Sequence, residues 1–73
     1  MSGDDFRGLI KKYMEKRHVR TMEDLRSHTT IASNKTFSKY WRSPELFPIG
    51  EIENMLNALN VPNEERMEIL RRS

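Results

Sequence analysis

Apolar residues recur along this 73-residue chain at the spacing of an α-helix, and no segment sustains the alternation that a strand requires. The clearest stripe combines Phe6, Leu9, Ile10 and Tyr13, which fall at i, i+3, i+4 and i+7. Neither Asn-Gly nor Asp-Gly, the dipeptides typical of a tight hairpin, occurs in the chain. The sequence therefore predicts an all-α fold, a compact bundle of about five short helices.

The small size of the chain limits how it can be stabilised. There is no cysteine, so neither a disulfide nor a thiolate ligand can form. A chain this short buries only roughly 60% of the surface that its unfolded form exposes, and we expect one domain with one core over residues 1–73. No apolar run approaches the ~20 residues of a membrane span, and the acidic start "MSGDDF" is unlike a signal peptide. We therefore expect a soluble, cytoplasmic protein with no membrane partner.

Capping residues and prolines predict where the helices begin and end. The predicted helices lie near residues 4–18, 21–29, 33–42, 48–60 and 63–72. Thr21 is the expected N-cap of the second helix, because "TMED" has the spacing of a capping box, and Ser33 or Asn34 is the expected cap of the third. Pro44 ends the third helix, since the residue before a proline avoids the α region, and Pro48 suits the first turn of the fourth.

The third predicted helix holds half of the aromatic residues of the chain beside a dense group of cations, in "SNKTFSKYWRSP". At 100° per residue its rings share one face: Phe37, Tyr40 and Trp41. The other face carries hydroxyl and cationic side chains: Lys35, Ser38, Lys39 and Arg42. Burial of the rings would leave the cations in solvent, so the sequence predicts a stiff helix that presents basic side chains.

The last two helices complete the predicted core. The fourth has an apolar stripe: Ile49, Ile52, Met55, Leu56 and Leu59. The loop before it is expected to bury Phe47. On the fifth helix Met67 and Leu70 share one face, whereas Ile69 points the other way and has no home in a monomer. Ile69 is therefore the candidate contact of a homodimer.

Charge is divided unevenly between the two halves of the chain. Residues 1–42 hold ten Lys or Arg and five acids, a net charge of +5, whereas residues 43–73 hold three Arg and six Glu, a net charge of −3. A basic half joined to an acidic half indicates that one face meets a polyanion. The alternative is ordinary solvated charge.

No catalytic or metal-binding arrangement is visible in the sequence. His18 and His28 lie ten residues apart, and neither belongs to an HExxH-type spacing. Each is interpreted as a surface or helix-end histidine. The three scattered glycines cannot form a phosphate-cradling loop. We therefore expect no enzyme activity, no cofactor, no metal and no small-molecule substrate.

The second and third helices together describe a helix-turn-helix unit. The major groove of DNA admits one α-helix, and the N-terminal residues of the second helix of such a unit reach the base edges. The candidate base-reading residues are Ser33, Asn34, Lys35 and Thr36. An asparagine can pair with adenine through two hydrogen bonds, and a lysine can donate to guanine. The candidate phosphate contacts are Thr21, Ser38, Lys39 and Arg42.

Residues 4–62 resemble the Cro/lambda-repressor-like (XRE-type) helix-turn-helix domain of phage and bacterial regulators. The run "TMEDLRSHTTIASNKTFSKYW" resembles the helix-turn-helix itself, and "FPIGEIENMLNALNVP" resembles the fourth helix and the turn after it. The resemblance implies a five-helix bundle, sequence-specific DNA binding and usually a homodimer on a palindromic operator. By position it also implies that bases are read by Asn34, Lys35 and Thr36. The residues that it places near phosphate are Thr21, Met22 and Lys39.

The chain departs from that family pattern within the helix-turn-helix. Met22 stands where Gln is usual, Arg26 where a small residue is usual, and Thr30 where Gly is usual. The segment "IASNKTF" is one residue longer than the common pattern. A helix-turn-helix with such changes can also be retained for protein contacts alone.

Three functions are compatible with these patterns. The first is a repressor-like, sequence-specific transcriptional regulator that places helix 33–42 in the major groove of double-stranded DNA. The second is a protein-binding adaptor or phage-encoded inhibitor, whose working face would be acidic: Glu45, Glu51, Glu53, Glu64, Glu65 and Glu68. The third is an architectural or recombination accessory protein that bends DNA with little sequence preference.

Overall fold

Every regular element within residues 3–70, the part of the chain that the structure describes, is helical in this computed structural model, as the apolar spacing predicted. The elements are α1 (Gly3–Lys16), α2 (Met22–Ser27), α3 (Asn34–Arg42), a 3-10 turn (Pro44–Leu46), α4 (Ile49–Ala58) and α5 (Asn63–Leu70). The helices α1, α2 and α4 end two residues earlier than predicted. The predicted end of the fifth helix at residue 72 lies outside the described residues.

The helices α2 and α3 each begin with the predicted cap. The Thr21 hydroxyl accepts a hydrogen bond from the Asp24 N–H at 3.0 Å, and the Ser33 hydroxyl accepts one from the Thr36 N–H at 3.3 Å. Both capping residues have extended backbone, the usual N-cap conformation. The predicted caps are confirmed, with Ser33 rather than its neighbour in that role. Pro48 precedes α4 as its N-cap, one position earlier than expected.

The helices α1 and α4 end in the same kind of left-handed turn. In α1 the Val19 N–H donates to the Met14 carbonyl at 2.9 Å, and the end of α4 repeats this hydrogen bond across six residues. This pattern is the Schellman motif, which needs one residue in the left-handed region. That residue is His18 in α1, with φ 60°, and Asn60 in α4, with φ 52°.

Replacing His18 by glycine is expected to stabilise the fold by about 0.5–1 kcal/mol. A left-handed conformation costs an L residue about 1–2 kcal/mol, which glycine avoids. Glycine is also freer in the unfolded chain, and this destabilises the folded state by about 0.4–1 kcal/mol, so only part of the gain remains. Urea unfolding followed by circular dichroism measures the difference. Asn60→Gly is the control, with a smaller gain, since asparagine tolerates this conformation better. A less stable His18→Gly protein would contradict the expectation.

The centre of the core is Phe47, which comes from the connection between α3 and α4. Its ring centroid lies 5.3 Å from that of Tyr40, 5.5 Å from Phe37 and 6.0 Å from Phe6. Trp41 extends the cluster with an edge contact to Phe6 at 6.1 Å. The prediction that the loop buries Phe47 is confirmed, and the ring joins α1 to α3.

Aliphatic side chains continue the core around this cluster. They are Ile10, Met14, Leu25, Ile52, Met55, Leu56, Leu59 and Val61. The predicted stripe of α4 is confirmed except at Ile49, which is 57% exposed. Ile49 falls at the edge of the stripe and at the first position of the helix, where a side chain can remain outside the core.

The predicted orientation of α5 is wrong for Ile69 and Met67, and the side chain of Leu70 lies outside the described residues. Ile69 is a core residue, 1% exposed, whereas Met67 is 60% exposed. Arg66 sets this orientation, because its guanidinium donates to the carbonyls of Val61 at 2.6 Å and Leu56 at 3.1 Å. A residue three positions further along shares the same side of a helix, so Ile69 turns inward with Arg66. Ile69 is therefore not exposed for the dimer contact that the sequence suggested.

Candidate nucleic-acid interface

The two faces of α3 are separated as the sequence predicted. Phe37 is buried, and Tyr40 and Trp41 are half-buried against the core. The polar side chains of the helix are exposed: Lys35, Ser38, Lys39 and Arg42. The aromatic residues thus anchor α3 while its cationic face meets solvent.

The cations of α3 form a narrow strip without intramolecular partners. Within residues 3–70 the side chains of Lys35, Lys39 and Arg42 take part in no hydrogen bond or ion pair. Helical geometry places them within an arc of about 60° and along about 10 Å of the helix axis. Like charges held this close repel each other and create a positive potential that attracts a polyanion.

Arg7 of α1 holds the C-terminal end of α3. Its Nη1 donates to the carbonyls of Trp41 at 3.0 Å and Arg42 at 3.2 Å, and its Nη2 lies 2.6 Å from the Asp4 carboxylate. A cation at this end of a helix satisfies carbonyls that lack helical partners and interacts favourably with the helix dipole. Arg7 therefore fixes the position of the C-terminal end of α3.

Arg26 of α2 holds the other end of α3 by spanning the turn. Its Nε donates to the Asn34 side-chain carbonyl at 2.5 Å, and its Nη1 donates to the main-chain carbonyls of Ile31 at 3.0 Å and Ala32 at 3.1 Å. Sequence reasoning identified Arg26 only as a departure from a family pattern and missed this role. The available signal was a long cation at a position where a small residue is usual.

Glu51 ties the same turn to α4. Its carboxylate accepts hydrogen bonds from the hydroxyl and the N–H of Thr30, the latter at 3.1 Å, and from the Asn54 amide at 2.9 Å. Burial acts to raise the pKa of Glu51, but these hydrogen bonds outweigh it and hold the pKa below its ordinary value. The expectation of an exposed acidic face that includes Glu51 is wrong, because this side chain is only 8% exposed.

The predicted base-reading residues form the N-terminal end of α3 but differ in exposure. Ser33 is the N-cap, and its hydroxyl oxygen is occupied by the main-chain N–H of Thr36. Thr36 is half-buried, whereas Asn34 and Lys35 are exposed. Asn34 and Lys35 are therefore the best placed of the four to meet a base edge.

The predicted phosphate contacts on α2 lie at the start of that helix. The Thr21 hydroxyl oxygen accepts the Asp24 N–H, and Met22 is half-buried against the core. Met22 also lines a solvent-open groove of about 720 Å³ with Lys11 and Arg20. Neither of these two cations has a hydrogen bond or ion pair in the described part of the chain. Both cations line this groove together with Glu15, and Arg20 directly precedes Thr21 in the sequence.

Three other basic residues interact within the protein. Arg17 donates to two carbonyls at the end of α4, at 2.9 and 3.4 Å. Lys12 lies 3.7 Å from the Glu65 carboxylate, and Lys16 lies over the Tyr13 ring at 5.2 Å from its centroid. The net charge of the first half of the sequence therefore overstates the number of cations that remain for a partner.

Among residues 3–70, no His, Cys, Asp or Glu side chains come together in a group that could hold a metal ion. None of the helices described is long and apolar enough to cross a membrane. Comparison of the chain with protein-family models, with curated proteins and with solved structures found no match.

Proposed function

We propose that this chain is a small, sequence-specific DNA-binding regulator that places α3 in the major groove. The observation that carries the proposal is the strip of unpaired cations on α3, Lys35, Lys39 and Arg42, on a helix held at its two ends by Arg7 and Arg26. The resemblance to XRE-type domains supports the same function. The proposed role is that of a repressor-like phage or bacterial regulator, acting on DNA in the cytoplasm.

The exposure of the side chains supports a division of roles along α3. Asn34 and Lys35 are exposed at the end of the helix that enters the groove and meet base edges. Lys39 and Arg42, one and two turns further on, meet phosphates, with Ser38 beside them. At the start of α2 the unpaired Arg20 adds a phosphate contact next to Thr21. Because the helix is already held in place, little entropy is lost in ordering it when it binds.

Lys39→Ala is expected to weaken binding to every DNA duplex alike, because a phosphate contact carries no sequence information. The logarithm of the binding constant falls as the logarithm of the salt concentration rises, and in the variant this slope should be smaller in magnitude by about one unit. Fluorescence anisotropy with a labelled duplex between about 50 and 200 mM salt measures this.

Lys12→Ala is the matched control for Lys39→Ala, because it removes the same charge from a lysine already paired with Glu65. It should keep the wild-type slope. Equal losses in the two variants would mean that only net charge matters. Absence of any binding by the wild type at micromolar concentration and low salt would refute the proposed function and favour a protein-binding adaptor.

A homodimer on a two-fold symmetric operator is part of the proposal. Ile69 lies in the core and is not available for a dimer contact. The large apolar side chains that are exposed in the described chain are Leu46, Ile49 and Met67. Duplexes selected from a random pool by the protein report the symmetry directly. Two inverted half-sites one helical turn apart, ~34 Å, are the expected result for a dimer, whereas a single half-site would indicate binding by a monomer.

A further inference from the structure

Arg26 limits what the neighbouring Asn34 can recognise. The Nε–H of Arg26 is bound to the Asn34 carbonyl oxygen at 2.5 Å, and its Nη1 is held by the carbonyls of Ile31 and Ala32. A guanidinium has five N–H donors and no acceptor. The side-chain amide of Asn34 must therefore turn its oxygen toward Arg26 and its NH2 group away from it.

An asparagine that reads adenine uses both ends of its amide. The oxygen accepts from the adenine N6 amino group while the NH2 group donates to N7. In this protein the oxygen already accepts from a cation, and Asn34 is exposed at the first position of α3. The part of the amide left for a partner in the groove is the NH2 group, which only donates.

The surroundings of Asn34 add further donors. Within the described residues the Nη2 group of Arg26 has no hydrogen-bond partner, and the adjacent Lys35 ammonium is exposed and unpaired. The groove edge of guanine offers two acceptors, O6 and N7, whereas adenine places an amino donor beside its N7. An adenine here would leave that amino group next to a guanidinium, with no acceptor to receive its hydrogen.

We infer that the Arg26–Asn34 pair is a specificity element that selects guanine over adenine at one position of each half-site. This inference rests on the proposed DNA-binding function. Arg26 acts as a positioning residue, since it orients the amide that meets the base. One well-made two-donor contact to a base discriminates by about 5- to 150-fold, so the preference at this position should fall in that range.

Selection from a random duplex pool tests the inference with three variants. Asn34→Ala is expected to lose the guanine preference at one position and keep the others. Asn34→Asp keeps an ion pair with Arg26 but replaces the donors by acceptors, so it should reject guanine there. Arg26→Ala releases the amide oxygen, so the preference at the same position should change from guanine to adenine, which a purely structural role would not cause.

The results separate this inference from the proposed function. Two results would overturn the inference but not the proposed function. One is that Asn34→Ala leaves the composition of the enriched sequences unchanged, and the other is that the wild type prefers adenine at the Asn34-dependent position. No enrichment by the wild type would overturn both. If Arg26→Ala does not fold, hydrogen exchange of the Arg26 Nε–H in the free protein replaces it: the expected result is slow exchange that Asn34→Ala accelerates, and equal rates would overturn the inference.

Discussion

Phe47→Ala is expected to lower the free energy of unfolding by about 3–5 kcal/mol, the usual cost of removing a buried aromatic side chain. The ring is 2% exposed and contacts three other rings, those of Phe6, Phe37 and Tyr40. A domain of this length has a total stability of roughly 4–11 kcal/mol. The variant should therefore be marginally folded at 25 °C.

Chemical unfolding followed by the fluorescence of Trp41 measures this loss, since the chain contains one tryptophan and its ring contacts Phe6. Leu46→Ala is the control, because it truncates the neighbouring residue of the same connection, whose side chain is 50% exposed. It should cost less than about 1 kcal/mol. Equal losses in the two variants would show that Phe47 is not the centre of the core.

Glu51→Gln is expected to lower the free energy of unfolding by about 1.5–3 kcal/mol or more, since this is the range for one hydrogen bond to a charged group. The variant places an amide, which is partly a donor, against the two donors of Thr30. Glu53→Gln is the matched control on the same helix, because Glu53 is exposed and its replacement should change the unfolding free energy by less than about 0.5 kcal/mol.

The contribution of Glu51 to stability is expected to depend on pH. Its pKa in the folded protein lies below the ordinary value of 4.5, so the unfolded state binds more protons as the pH falls past that value. The stability difference between the wild type and Glu51→Gln should be complete above about pH 5.5, decrease below pH 4.5, and be lost once the pH passes below the folded pKa. A difference that grows toward acid pH would contradict this sign.

The parts of the fold that follow from local patterns were predictable from the sequence. The rings and cations of α3 separate cleanly at 100° per residue, so its buried and exposed faces are as expected. Thr21 and Ser33 cap their helices because capping depends on residues only three positions apart. Phe47 is buried as expected, because an aromatic ring of this size stabilises a small core strongly when it is removed from water.

The errors concern residues whose partners are distant in sequence. Ile69 faces the core because Arg66, on the same side of α5, binds carbonyls of α4 and of the turn after it, and the apolar residues of α5 indicate no single face by themselves. Glu51 was expected in solvent because it is charged, yet its partner Thr30 lies 21 residues away. The contact of Arg26 with Asn34 likewise crosses a turn. Periodicity describes one helix at a time and cannot register such contacts.

The position of Phe47 has a consequence for how this protein can change in length. Connections between helices are usually where insertions and new chain termini are accepted. Residues 43–48 are an exception, because the same short segment that links α3 to α4 supplies the central ring of the core. Lengthening this segment would displace the Phe47 ring from the core. Insertions, fusion to another protein and circular permutation would therefore have to use a different connection.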